Sequence, residues 1–184
     1  MITDRDKKVI EFIEKFNVAT TNIIADLFYP SLRVAQNRLK RLYADKVLKR
    51  DREHFTNQYY YYIKKPKQIR HNLLLVEFYK EVNKLIDIEV FKKEFEIEDI
   101  RPDGLMIYKY KNKKYIAFIE VQISNTPVDI HKYRKLCLTE KYKKYFPVFP
   151  KLIFITNKSI KNIKEFEVIK IKEDSENILT LFDK

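Results

Sequence analysis

Two short runs carry residue types that could do chemistry together: Arg101-Pro102-Asp103-Gly104 and Ile119-Glu120-Val121-Gln122. Two carboxylates and an amide oxygen gathered at one point form a hard oxygen-donor set, the kind that takes Mg2+ or Mn2+. In a basic chain, such a set points to metal-dependent cleavage of a phosphodiester. On this reading Asp103 and Glu120 hold the metal and Gln122 orients it or its water. Side chains alternate along a strand, so Glu120 and Gln122 share a face. The segments 103–111 and 114–122 flank Asn112-Lys113. A two-residue turn there pairs Lys111 with Lys114 and sets Asp103 opposite Gln122. A one-residue slip would send Asp103 to the other face. The stretch 116–123 is almost wholly apolar, as a strand covered on both faces should be. A Glu and a Gln inside it cost free energy unless they are partnered. The ordinary alternative is turn chemistry at Pro102-Asp103-Gly104 beside a solvated Glu120.

The elements that must position these residues are bounded by composition. With 184 residues, 45% of them hydrophobic, the chain can build one sizeable domain or two small ones. No apolar run approaches the roughly 18 residues of a membrane helix, and the N-terminus is charged from Asp4 onward with no apolar leader segment. The single cysteine, Cys137, excludes an internal disulfide and a cysteine zinc site. It sits in a helical pattern as a small core residue, and a reducing cytoplasm is the expected compartment. The net charge of +12 favours a polyanionic partner, nucleic acid rather than a membrane surface. Half of that excess falls in residues 33–52, where eight Lys or Arg face only Asp45 and Asp51. The only glycine is Gly104, so there is no glycine-rich phosphate loop and no case for P-loop or dinucleotide chemistry.

The N-terminal third reads as three short helices and a hairpin. Thr3 is an N-cap with Asp6 three residues on, and Val9, Phe12, Ile13 and Phe16 follow helical spacing. Thr20 or Thr21 caps a second helix with Ile23, Ile24, Leu27 and Phe28 inward, stopped at Tyr29-Pro30. Ser31 caps a third whose inward stripe is Leu32, Ala35, Leu39, Leu42 and Tyr43. Arg33, Gln36, Asn37 and Lys40 share its outward face. Strands over 47–50 and 58–63 enclose a polar loop, 51–57. The pattern is a winged helix-turn-helix, with its third helix in the major groove and its hairpin along the backbone of double-stranded DNA. Arg33 suits guanine, and Gln36 and Asn37 suit adenine. Lys40 and Arg41 suit phosphates, and Arg50, Arg52 and His54 add contacts from the wing. A solvated face or a protein-contact surface is the ordinary alternative. The adjacency of basic helix and basic wing favours DNA. Half of the tyrosine run 59–62 is expected in the core. Lys64-Lys65-Pro66-Lys67 reads as a stiff linker, dividing the chain into 1–65 and 66–184.

The second part reads as a helix over 68–86, a strand over 88–97 and the two motif strands. Asn125-Thr126-Pro127 then turns into a helix over 128–145. A buried strand over 151–156, a brief helix over 159–164, a strand over 167–171 and a last turn near 177–182 follow. The fold class is α+β, with an αβββαβ second domain built on a mixed sheet.

That order, with Pro102-Asp103 on the second strand and Glu120-Val121-Gln122 on the third, resembles the PD-(D/E)XK, or restriction endonuclease-like, fold. The resemblance adds Glu77, in the first helix of the domain, as an assisting acid, and places Lys132, Tyr133 and Lys135 where phosphate contacts are made. The whole chain is similar to the plasmid replication-relaxation family over about residues 2–145. The matching residues are 2–6, Arg38-Leu39 with Leu42, His71-Asn72-Leu73, Arg101-Pro102-Asp103, Glu120-Val121 and Lys132-Tyr133. The family implies a winged helix joined to a nuclease-like domain, acting in plasmid replication, relaxation or conjugative transfer. One departure matters: the third-strand lysine of the fold is Gln122 here, which carries no charge and cannot act as a base. Lys109, Lys113 or Lys135 could stand in if the fold brought one within reach. His54, His71 and His131 show no metal-ligand spacing.

Two readings result. One is a DNA-binding protein whose second domain uses Mg2+ or Mn2+ to nick or cut DNA. The other is a non-catalytic DNA-binding accessory factor or transcription regulator. In it the nuclease-like domain serves backbone contacts, homodimer formation, or docking of a relaxase or replication initiator.

Overall fold

The computed structural model describes residues 2–54, 56–124, 127–160 and 163–182. The chain forms two compact units, Met1–Lys80 and Glu81–Lys184, each with its own sheet. The expected linker at 64–67 therefore lies inside the first unit. Among the described residues no helix is long and apolar enough to cross a membrane.

The first unit runs α1 (Asp4–Phe16), β1 (Ala19–Thr20), α2 (Thr21–Phe28), α3 (Leu32–Ala44), β2 (Lys49–Arg52) and β3 (Tyr59–Tyr62), and then enters α4 (Ile69–Leu85). The three strands form an antiparallel sheet in the order β1-β3-β2. Helix α1 starts as its sequence dictates. Thr3 Oγ1 accepts from Asp6 N at 3.3 Å, and the Asp6 carboxylate accepts from Thr3 N at 2.6 Å, a reciprocal box that satisfies otherwise orphaned amides. Val9, Phe12, Ile13 and Phe16 are buried, and Asn17 closes the helix in the left-handed region with φ of 68°. Ser31 caps α3, whose inward stripe is Ala35, Leu39 and Leu42. Leu32 and Tyr43, expected in that stripe, are exposed at the two ends of the helix.

The hairpin starts two residues later than its composition suggested. Val47 and Leu48 both donate to the Leu42 carbonyl, so they belong to the exit turn of α3 and the strand begins at Lys49. Tyr60, Tyr61 and Tyr62 are all buried, not half of the tyrosine run. Alternation sends Tyr60 and Tyr62 to one face, where Val18 packs with Ile69 and Leu73 of α4. Packing on α4 also draws Tyr79 against Phe12 and Phe16, with ring centroids 5.8 and 4.9 Å apart, which is why the first unit extends to Lys80.

The second unit contains the end of α4, then β4 (Asp87–Lys93), β5 (Gly104–Tyr110), β6 (Lys113–Val121), α5 (His131–Leu138), β7 (Lys151–Ile155) and β8 (Val168–Ile171). The sheet order is β4-β5-β6-β7-β8, antiparallel from β4 to β6 and parallel from β6 to β8. Central β6 is covered as its apolar run requires, with Ala117, Phe118 and Ile119 fully buried. Tyr133 and Leu136 of α5 pack on the face carrying Leu105, Phe118, Leu152 and Phe154.

Helix α5 is shorter than the expected 128–145. Thr139 Oγ1 caps the Lys135 carbonyl at 2.8 Å, and Glu140 turns left-handed with φ of 54°, which an α-helix cannot continue. A short 3-10 segment, Lys141–Lys144, follows. Residues 159, 160, 163 and 164 are not helical. The rest of the helix expected at 159–164, and Asn125-Thr126 of the expected turn, lie outside the described residues.

Candidate functional site

Register decides whether the acidic residues meet. Lys111 and Asn112 carry positive φ values of 47° and 59°, the left-handed pair that a two-residue hairpin turn demands. The turn is therefore Lys111-Asn112, with Tyr110 paired to Lys113 and Gly104 to Ile119. It is centred one residue earlier than expected. That slides the pairing by two residues and leaves every side chain on its expected face. Extended by one pair, the register sets Asp103 opposite Glu120 instead of Gln122.

Asp103 is anchored beyond the last ladder pair. Its Oδ2 accepts from Val121 N at 2.8 Å and its carbonyl accepts from Glu94 N at 2.8 Å. Gly104, where turn chemistry was the ordinary alternative, is the first residue of β5. A Cβ at this position would sit 3.3 Å from the Phe91 ring, so a larger residue would require that ring to shift.

Glu120 projects from β6 with its side chain 14% exposed. Its Oε1 accepts from Lys132 Nζ at 2.5 Å and from the Tyr133 hydroxyl. Burial pushes the Glu120 carboxyl up; the two donors oppose this and the charge of Asp103 reinforces it. The Tyr133 hydroxyl, itself fully buried, is pushed far above its ordinary range, first by burial and then by Glu120. It is therefore a donor that stays protonated.

The charge of Asp103 thus reaches Glu120. Glu120 Oε2 makes no hydrogen bond among the described residues. Mg2+ and Mn2+ characteristically take one or two protein carboxylates and complete their shells with water and phosphate oxygens, and this donor set fits them on that basis. Among the described residues no cluster of three or more His, Cys, Asp or Glu side chains is placed to hold a metal.

Gln122 has a different place from the one expected. Strand β6 ends at Val121, and the Gln122 amide donates to Ser124 Oγ at 2.6 Å. Its backbone N–H and C=O are tied to Ile155 O and Thr156 Oγ1. Glu77 belongs to the first unit, where its carboxylate takes the buried Lys80 ammonium, which also lies 3.7 Å from Asp26. The structure does not group it in one unit with Asp103 and Glu120.

Of the lysines considered as substitutes, Lys109 pairs with Glu89 at 2.6 Å and Lys135 with Asp99 at 3.3 Å, while Lys113 is exposed at the hairpin turn. A lysine that does pair with Glu120 is Lys132, expected as a phosphate contact. Its side chain is 34% exposed, so it borders solvent as well as Glu120. The signal for it was present: a lysine beside a tyrosine near the start of a helix that follows the motif strand.

The basic residues of the first unit form a second feature. Arg33, Gln36, Asn37, Lys40 and Arg41 are all exposed on α3. The Arg50 guanidinium lies 4.2 Å from the Tyr43 ring centroid on α3 and 4.3 Å from that of Tyr59 on β3. Arg52 donates to Tyr59 OH and Asn57 Oδ1, both at 3.1 Å. No known family model, curated protein or solved structure matches the chain.

Proposed function

We propose that the chain is a DNA-binding protein of a plasmid or mobile element, acting in replication, relaxation or conjugative transfer. Its first unit would be a winged helix-turn-helix and its second a PD-(D/E)XK nuclease-like domain. The observation that carries DNA binding is the junction of α3 with the β2–β3 hairpin. Arg33, Gln36, Asn37 and Lys40 stand exposed on one helix face. Arg50 bridges that helix to the hairpin by stacking between Tyr43 and Tyr59. A guanidinium already held in a plane loses little freedom when it meets a phosphate. Arg33, Gln36 and Asn37 are suited to base edges, and Lys40, Arg41, Arg50 and Arg52 to the backbone.

In the second unit, Asp103 and Glu120 would hold Mg2+ or Mn2+. A bound divalent cation supplies Lewis acidity toward a phosphodiester. The chain's own contribution is rigidity. Val121 N fixes Asp103, and Lys132 and Tyr133 fix Glu120.

The accessory-factor reading is favoured by one observation: Gln122 is neutral and tied to Ser124, and Glu120 already has two donors. Two measurements separate the readings. Duplex DNA binding by anisotropy should weaken at least tenfold in Arg33→Glu/Lys40→Glu without loss of thermal stability; unchanged binding removes α3 as the recognition element. Calorimetry with Mn2+ should show binding that Asp103→Ala abolishes, together with nicking of supercoiled plasmid. A wild-type chain that binds no Mn2+ and leaves plasmid intact is the accessory factor.

A further inference from the structure

We propose that the cavity between α5 and the loop after β7 binds a single nucleotide, base and phosphate together. The inference goes beyond the reading above and does not depend on it. Among the described residues the lining comes from the second unit alone, and Asp103, Glu120 and Lys132 are not part of it.

Strands β6 and β7 are parallel neighbours, so the loops that leave them part on the same edge of the sheet. A crevice outside the carboxyl ends of parallel strands is where α/β sheets take ligands. Here residues 127–131 and 134 on one side, and 158, 159 and 163–165 on the other, border a cavity of about 1050 Å3, the size of a small-molecule site.

The lining has the three parts that a nucleotide uses. Val128 and Ile163 are half-buried against the core that holds Ile130 and Tyr133, and they give an apolar wall. Arg134 gives a plane. Its Nε and a terminal nitrogen both hold Glu165 Oε1, at 2.7 and 2.6 Å, while 51% of its side chain stays exposed. A guanidinium fixed by its edge has a face on which a base can stack. Lys164 and His131 give charge. Neither side chain has a hydrogen bond or ion pair among the described residues, and both border the cavity. Lys158, whose ammonium holds the Ser124 carbonyl, adds a further cation. Only Asp129 and Glu165 stand against these cations, so the lining is net positive and favours an anion. An aliphatic acid would leave the Arg134 plane unused, and inorganic phosphate would leave the apolar wall unused. A ring joined to a phosphate uses both. A paired base lies inside the duplex stack and must leave it to enter a pocket. The nucleotide is therefore either free or unpaired within a strand.

The test uses the full chain in EDTA, so that no divalent metal takes part. Calorimetry with dAMP should show binding, and inorganic phosphate should bind roughly tenfold more weakly because it lacks the stacked base. Lys164→Glu reverses a charge and Ile163→Trp fills the cavity; each should weaken dAMP roughly tenfold or more, with melting near wild type. Arg134→Lys keeps the charge and loses the plane, so it should weaken dAMP and leave phosphate unchanged. Arg33→Glu/Lys40→Glu should bind dAMP as wild type does. Two duplexes, one fully paired and one with a single unpaired 2-aminopurine, separate the sources. Tighter binding of the unpaired duplex, lost in Lys164→Glu, assigns a nucleotide within a strand. Equal binding of both duplexes, with dAMP bound, assigns a free nucleotide. A wild-type chain that neither binds dAMP nor prefers the unpaired duplex overturns the proposal. So does dAMP binding that Lys164→Glu and Ile163→Trp leave unchanged.

Discussion

Asp6 has no solvent exposure, yet it is charged and fully engaged. Arg38 Nε donates to its Oδ1 at 2.7 Å and the second guanidinium nitrogen to Oδ2, where Thr3 N and Thr3 Oγ1 also donate. The Arg38 hydrogen bonds, helped by those from Thr3, hold the Asp6 carboxyl far below the usual carboxylate range against the opposing effect of burial. Because the folded-state pKa is depressed, this contribution to stability is complete above the unfolded value of about 4 and is lost as pH falls through the folded one. Asp6→Asn should therefore cost about 3 kcal/mol at pH 7, since it leaves Arg38 half-buried without its charge partner. The deficit should shrink in urea unfolding repeated near pH 2. An equal deficit at both pH values would mean that packing, not charge, is what the substitution removes. The same pair clamps α1 to α3.

At the scale of elements, the β5–β6 hairpin decides whether there is a site at all. Its register is set at one end by two left-handed residues and at the other by Asp103 Oδ2 on Val121 N. A β-branched residue in the left-handed region is strained by roughly 1–2 kcal/mol. Asn112→Val should lower stability by about that much, whereas Asn112→Gly should match or exceed wild type. Thermal melting of the three proteins checks this; a wild-type-like melt for Asn112→Val would mean the turn is not left-handed there. The expected turn was misplaced by one residue, but the face assignment survived because a shift of the turn centre moves the pairing in steps of two. Gln122 lies one residue past the end of β6, its backbone N–H still bonded to Ile155 O of β7 and its side-chain amide to Ser124.

At the scale of the whole molecule, charge and contacts divide the work between two units. Half of the net +12 lies in residues 33–52, within α3 and the hairpin. DNA affinity should accordingly be steeply salt-dependent. The slope of log K against log salt falls by about 0.9 for each phosphate contact removed, so the Arg33→Glu/Lys40→Glu titration repeated across ionic strengths should give a distinctly shallower line than wild type. The second unit keeps many of its ionic groups in local pairs, such as Lys109 and Lys114 on Glu89 and Arg134 on Glu165. The acidic pair at the end of β5 and β6 is held in the same way, Glu120 by Lys132 and Asp103 by Val121 N. The division after Lys80 instead of Lys65 follows from packing. A run of charged residues and a proline looks like a linker, but Tyr60 and Tyr62 needed the start of α4 to bury them.

Much of this protein could be read from residue order because its signals are local. Caps at Thr3, Thr20 and Ser31, the helical spacing of Val9, Phe12, Ile13 and Phe16, the apolar run of β6 and the basic outward face of α3 each depend on neighbours a few residues away. The α+β class follows from those periods. What needed the tertiary structure was every pairing across distance. Asp6 and Arg38 are 32 residues apart, Asp103 and Val121 are 18 apart, and Lys132 reaches back 12 residues to Glu120. A lysine's reach is set by the helix that carries it, and where that helix lies is fixed by which side chains it buries. Tyr133 and Leu136 had to find Phe118 and Phe154 before Lys132 could meet Glu120.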